Sequence, residues 1–176
     1  WHRAQGLEVV RYSPAEQRFF AGTGHWAGQD ALIRFGKYPG DFPTWVGTEG
    51  DGAAYVANVT QDMAGRGEHC GLTFWIRATA GLPAMPAGPK SLALPGGVGA
   101  LPVETMHAYL ANAAAYLYVG TVPASYTLGL IEALMVGVPI VSIGPGAWMG
   151  PDRLFEGHEL AGASFVGANL QGAIFT

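Results

Sequence analysis

The 176-residue chain has a single cysteine, Cys70, and only two lysines, Lys37 and Lys90. One cysteine cannot close an internal disulfide, and no zinc-ligand spacing surrounds it, so a reducing, cytoplasmic setting is expected. Charged residues make up 12% of the chain and the formal net charge is −4. Without a basic stripe there is no electrostatic footprint for nucleic acid, and none is expected as a partner. No apolar run reaches the length of a membrane span, so no transmembrane segment is expected. The chain opens on Trp1 with no signal-peptide pattern and stops at Thr176. Both ends read as cuts, and a fragment of a longer protein is expected.

What is present is apolar: 49% of residues are hydrophobic, enough for a packed core and against disorder. Residues 1 to about 50 show little periodicity. Leu7 to Tyr12 suits a short strand, and Ser13-Pro14-Ala15-Glu16 suits a helix start. From residue 53 strands and helices alternate. Ala53–Asn58 reads as a buried strand and 68–79 as a helix, while Leu82–Ala87 is a weak strand because prolines interrupt it. A helix opens at Pro102-Val103-Glu104, with Val103, Met106, Tyr109, Leu110 and Ala113 at helical spacing. The clearest βαβ unit follows: strand Ala115–Val119, loop Gly120–Ser125, a helix from Tyr126 or Thr127 to Val136 capped by Gly137, and strand Val138–Ile143. Such units pair in parallel through right-handed crossovers. The expected fold class is α/β, a doubly wound parallel sheet.

Ligands bind such sheets outside the carboxyl ends of the strands. Three loops are expected there: Asn58–Gly67, Lys90–Ala100 and Gly120–Thr127. The last leads into a helix start carrying Ser125, Tyr126 and Thr127, where free N–H groups and the helix dipole favour a diphosphate. Arg66 is placed to neutralise phosphate charge. The helix that follows is apolar nearly all round, so its one carboxylate, Glu132, needs a partner. Hydroxyl groups of a sugar would serve, and so would a structural pairing with an arginine or a backbone amide.

The run Tyr126-Thr127-Leu128-Gly129-Leu130-Ile131-Glu132-Ala133-Leu134-Met135-Val136-Gly137-Val138-Pro139-Ile140-Val141 resembles the donor-binding signature of retaining GT-B glycosyltransferases. That signature has a Gly-containing loop, a Glu-Ala pair, then Gly-x-Pro and an apolar strand. Pro95-Gly96-Gly97-Val98-Gly99 and the helix after it resemble the family's approach to that signature. The resemblance covers residues 53–145 and is specific over Glu132–Val141. It implies the Rossmann-like C-terminal half of a GT-B fold, with a hexosyltransferase activity that draws on a nucleotide-diphosphate-sugar donor as substrate and needs no cofactor or metal. It implies that Glu132 binds the ribose and that Arg66 offsets phosphate charge, these two being the catalytic candidates. It places Gly97, Ala124, Ser125, Tyr126, Thr127 and Leu128 with Glu132 at the donor, and Lys90 as a further phosphate ligand. The acceptor is unknown, and its domain is expected to precede this chain. Two positions depart from the family: Ala124 stands where a sugar-contacting glutamate is usual, and Gly67-Glu68-His69-Cys70 lacks the usual lysine after the arginine.

On this reading residues 1–50 are a remnant of, or linker from, the missing domain, residues 51–158 are the nucleotide-sugar-binding domain, and residues 159–176 are a tail. In the tail Leu160, Phe165, Leu170 and Phe175 recur every five residues, which resembles the start of a pentapeptide repeat. Ala124 and the tail keep open a non-catalytic nucleotide-binding or scaffold module, and the fold class keeps open a sugar-nucleotide epimerase. His69 beside Cys70 lacks an orienting third group, so a nucleophile–base pair is not expected. Glu156-Gly157-His158-Glu159 lacks metal-motif spacing, and His107 reads as structural.

Overall fold

A computed structural model of the chain describes residues 3–11, 28, 30–33, 37–47, 54–120 and 128–142. The Ser13 helix start, the Glu156–Glu159 stretch and the pentad tail lie outside these residues. Near the N-terminus, β1 (Val10–Arg11) pairs in parallel with β2 (Ala31–Leu32). The larger unit is a parallel sheet of β3 (Val56–Val59), β4 (Ala84–Ala87), β5 (Ala115–Tyr118) and β6 (Ile140–Ser142). Its order is β4-β3-β5-β6. The helices are α1 (Met63–Arg66), α2 (Leu72–Ala78), α3 (Val103–Asn112) and α4 (Leu128–Val136).

The strand order explains how the helices are shared between the two faces. The chain moves one way from β3 to β4, then reverses past β3 to reach β5 and β6. Right-handed crossovers in opposite directions place their helices on opposite faces. Strand alternation agrees. Ala57, Ala87, Tyr116 and Tyr118 join Leu110 of α3 and Leu130, Ala133 and Leu134 of α4 in one core. Leu117 and Val119 join Met63 of α1 and Trp75 of α2 in the other. With both faces covered, β5 is apolar at successive positions, as buried parallel strands are.

Several local expectations are corrected. The first sheet strand starts at Val56, not Ala53, and continues to Val59. The stretch read as a loop over Asn58–Gly67 carries α1, and the stretch read as one helix over 68–79 is a 3-10 turn over Gly67–Cys70 followed by α2. Gly71, at φ 71°, divides the last two, because a left-handed residue cannot continue a helix. The weak strand is real but shorter, and Pro86 lies inside it. Proline is tolerated there because its carbonyl faces away from β3, accepting from Val98 N at 3.0 Å, so its missing N–H interrupts no bond to β3. Val103 is exposed at the first turn of α3, while Tyr109 and Leu110 are buried. The expected cap at Gly137 is present. Its N–H reaches Leu134 O at 3.2 Å while Val138 N reaches Ala133 O at 3.2 Å, a Schellman arrangement with Gly137 at φ 85°.

Residues 37–47, from the irregular N-terminal segment, lie as a strap on the α3/α4 face. Phe42 and Trp45 pack against the core there. Helix ends leave carbonyls without intrahelical partners, and the strap supplies donors. Trp45 N donates to Val136 O (2.9 Å) at the end of α4. Val46 N and Gly47 N donate to Ala111 O (3.0 and 3.1 Å) at the end of α3. The Trp45 indole Nε1 donates to Ala113 O at 2.8 Å.

Candidate functional site

The strand order reverses between β3 and β5, the place where open parallel sheets form a crevice. The backbone ladder stops early there. Its last pairs are Val56 with Ala115 and Ala57 with Tyr116. Beyond them side chains take over. The Tyr116 hydroxyl accepts from Val59 N at 3.2 Å, and Asn58 Nδ2 donates to Leu117 O at 2.8 Å. Tyr116 and Asn58 are 0% and 3% exposed. On the β4 side, the Tyr109 hydroxyl accepts from Asn58 N (3.0 Å) and donates to Met85 O (2.5 Å).

Helix α4 closes on this region from one face. A side chain at Gly129 would come within 2.7 Å of Val59 Cβ and 3.3 Å of the Tyr116 hydroxyl oxygen, so glycine permits the close approach. Glu132, the fifth residue of α4, lies close enough to Tyr116 for its charge to act on the phenol. Burial raises the Tyr116 pKa strongly above 10, and the Glu132 charge raises it further; the Val59 hydrogen bond opposes both. Burial likewise raises Tyr109 strongly and Tyr55 more modestly.

Glu132 meets a partner that the sequence reading did not name. Lys37 Nζ lies 2.7 Å from Glu132 Oε1, and the two side chains are 32% and 17% exposed. From Leu130 onward α4 is buried at the other positions, with Leu130, Ile131, Ala133, Leu134, Met135 and Val136 all inside. Leu128, at its described start, is 41% exposed. Ala124, Ser125, Tyr126 and Thr127 lie outside the described residues.

Arg66 and Lys90 come together elsewhere on the carboxyl edge, around Asp62. Asp62 caps α1 by accepting from Gly65 N at 2.9 Å, and Lys90 Nζ binds its Oδ2 at 2.6 Å. The Lys90 hydrogen bond lowers the Asp62 pKa; burial opposes it, and the Gly65 N–H and the charges of Lys90 and Arg66 add smaller lowering effects. Lys90 therefore has an intramolecular counter-ion. Gly97 has a local packing reason to lack a side chain, since a Cβ there would lie 1.8 Å from Ser91 O. Asp62, Asn58, Tyr116 and Lys37 escaped the sequence reading. Only Lys37 carried a signal, as one of two lysines in the chain.

Of the other candidates, His107 packs against Phe42 with ring centroids 4.6 Å apart and the rings tilted at 43°. Cys70 is buried at the end of its 3-10 turn. Among the described residues, no group of three His, Cys, Asp or Glu side chains could hold a metal, and no helix is long and apolar enough to cross a membrane. The chain matches no protein-family model and no curated protein sequence.

Proposed function

We propose that this chain is the nucleotide-sugar-binding, Rossmann-like half of a GT-B glycosyltransferase, taking a nucleotide-diphosphate sugar as donor for an unknown acceptor. One observation carries the reading. Glu132, the sole carboxylate on a largely buried helix, sits beside the Tyr116–Val59 contact where the strand order reverses. The resemblance of Glu132–Val141 to the donor signature supports the same role, ribose binding by Glu132. The protein would act by positioning the donor and stabilising the departing diphosphate, with no covalent step of its own. Ala124 favours a second reading, a nucleotide-binding module without transfer, because the sugar-contacting carboxylate of the family is replaced there.

Calorimetry with UDP, GDP and their sugars tests both readings. Binding that Glu132→Gln weakens while the melting temperature holds supports a nucleotide site. Absence of binding by any of these ligands would end both readings. Hydrolysis or transfer of the bound sugar separates the enzyme from the module.

A further inference from the structure

We propose that Lys37 is the diphosphate-binding cation of this site, so that the strap 37–47 carries part of the nucleotide seat. The proposal rests on the nucleotide reading of Glu132 and adds a residue from outside the region that resembles the transferase signature.

The argument begins with charge. The chain is net negative at −4. A nucleoside diphosphate is strongly anionic, and a lone carboxylate in its ribose seat would repel it. Lys37 removes that repulsion directly, with its ammonium 2.7 Å from Glu132 Oε1. The ion pair does not exhaust either group. An ammonium has three N–H donors, and an ionised carboxylate offers about four acceptor sites. One contact therefore leaves Glu132 able to accept from a diol and Lys37 able to donate to a phosphate oxygen. The pair is also reachable, since about a third of the Lys37 side chain is open to solvent.

The other lysine belongs to a different cluster, away from Glu132. Lys90 is bound to Asp62 at 2.6 Å, and Asp62 is itself engaged in capping α1. Arg66 belongs to the same cluster, since its charge acts on Asp62. Lys37 instead lies against the helix that bears Glu132. It is held there by a strap whose far end is pinned by four N–H donors to the ends of α3 and α4 and to Ala113. A pinned strap limits the entropy lost when the lysine engages a ligand.

The test compares wild type, Lys37→Gln, Lys37→Arg and the exposed control Arg77→Gln on α2. Calorimetry uses whichever of UDP and GDP the wild-type chain binds, together with the matching nucleoside. Lys37→Gln is expected to weaken the diphosphate about tenfold or more, as loss of a charge-assisted hydrogen bond does, and to leave the nucleoside within about threefold. Lys37→Arg is expected to retain most of the diphosphate affinity, and Arg77→Gln all of it. Equal losses for diphosphate and nucleoside would overturn the proposal, because Lys37 would then only hold Glu132 in place. No loss for either would overturn it as well, while leaving the nucleotide reading intact. Wild type that binds neither UDP nor GDP would remove both. Melting temperatures of all four proteins separate a binding defect from unfolding.

Discussion

Tyr116→Phe probes the point where the sheet opens. The substitution keeps the ring and deletes one oxygen, the acceptor for Val59 N at 3.2 Å. Tyr116 is 0% exposed, and Leu117 O does not compensate within the ladder, whose register ends at Ala57 and Tyr116. A backbone donor left without its acceptor costs about 1–3 kcal/mol, which is the expected destabilisation near pH 7. The deficit should shrink in alkali. The native phenol is held protonated well above its ordinary value of 10.0, first by burial. The sign follows from linkage: a raised native pKa means that stability is fully present below the unfolded value and is lost as pH rises above it. At about pH 11 the unfolded wild-type phenol ionises while the native one does not, which lowers wild-type stability by RT ln(1 + 10), about 1.4 kcal/mol. Phenylalanine has no such loss. Urea unfolding of both proteins at about pH 7 and 11 should therefore show the stability gap narrowing by roughly 1.4 kcal/mol. A gap that is absent at neutral pH, or that stays constant between the two pH values, would refute the reasoning.

Further perturbations test other contacts. Trp45→Phe deletes the indole donor to Ala113 O and should cost about 0.5–1.5 kcal/mol in urea unfolding, a direct measure of how firmly the strap is pinned. Gly88→Ala should abolish soluble folded protein, because the added Cβ would lie 1.7 Å from Thr60 O at a residue with φ +136°; a folded variant with a native-like melting curve would contradict this geometry. Asp62 has a lowered native pKa, chiefly from Lys90, so its stabilising effect is present above the ordinary aspartate range and lost as pH falls through the native value. Melting temperature should consequently fall below about pH 4 less steeply in Lys90→Ala than in wild type.

The α/β class was readable because its cause is local. Short continuous apolar runs, the period-3.6 pattern of the helices, Gly137 after the last turn of α4, and the helix-length spacing between strands all follow from neighbouring residues. The isolation of Glu132 on an apolar helix was readable for the same reason. Other features depended on distant residues. Nothing near Pro86 in the chain says that β4 lies beside β3 with the proline carbonyl turned outward toward Val98. Gly71 is an ordinary glycine until its left-handed conformation divides two helical pieces.

The sequence alone determined that Glu132 needs a partner, since burying a charge without one is costly wherever the helix packs. Only the tertiary structure decided which partner: Lys37, ninety-five positions earlier in the chain, brought there by a strap pinned to helix ends. The same holds for Tyr116. Its apolar surroundings were evident in Ala115–Val119, but its task of accepting from Val59 N arises only because β5 lies beside β3, where the chain reverses direction across the sheet. Patterning sets what each segment must bury, and the crossovers set which distant groups meet there.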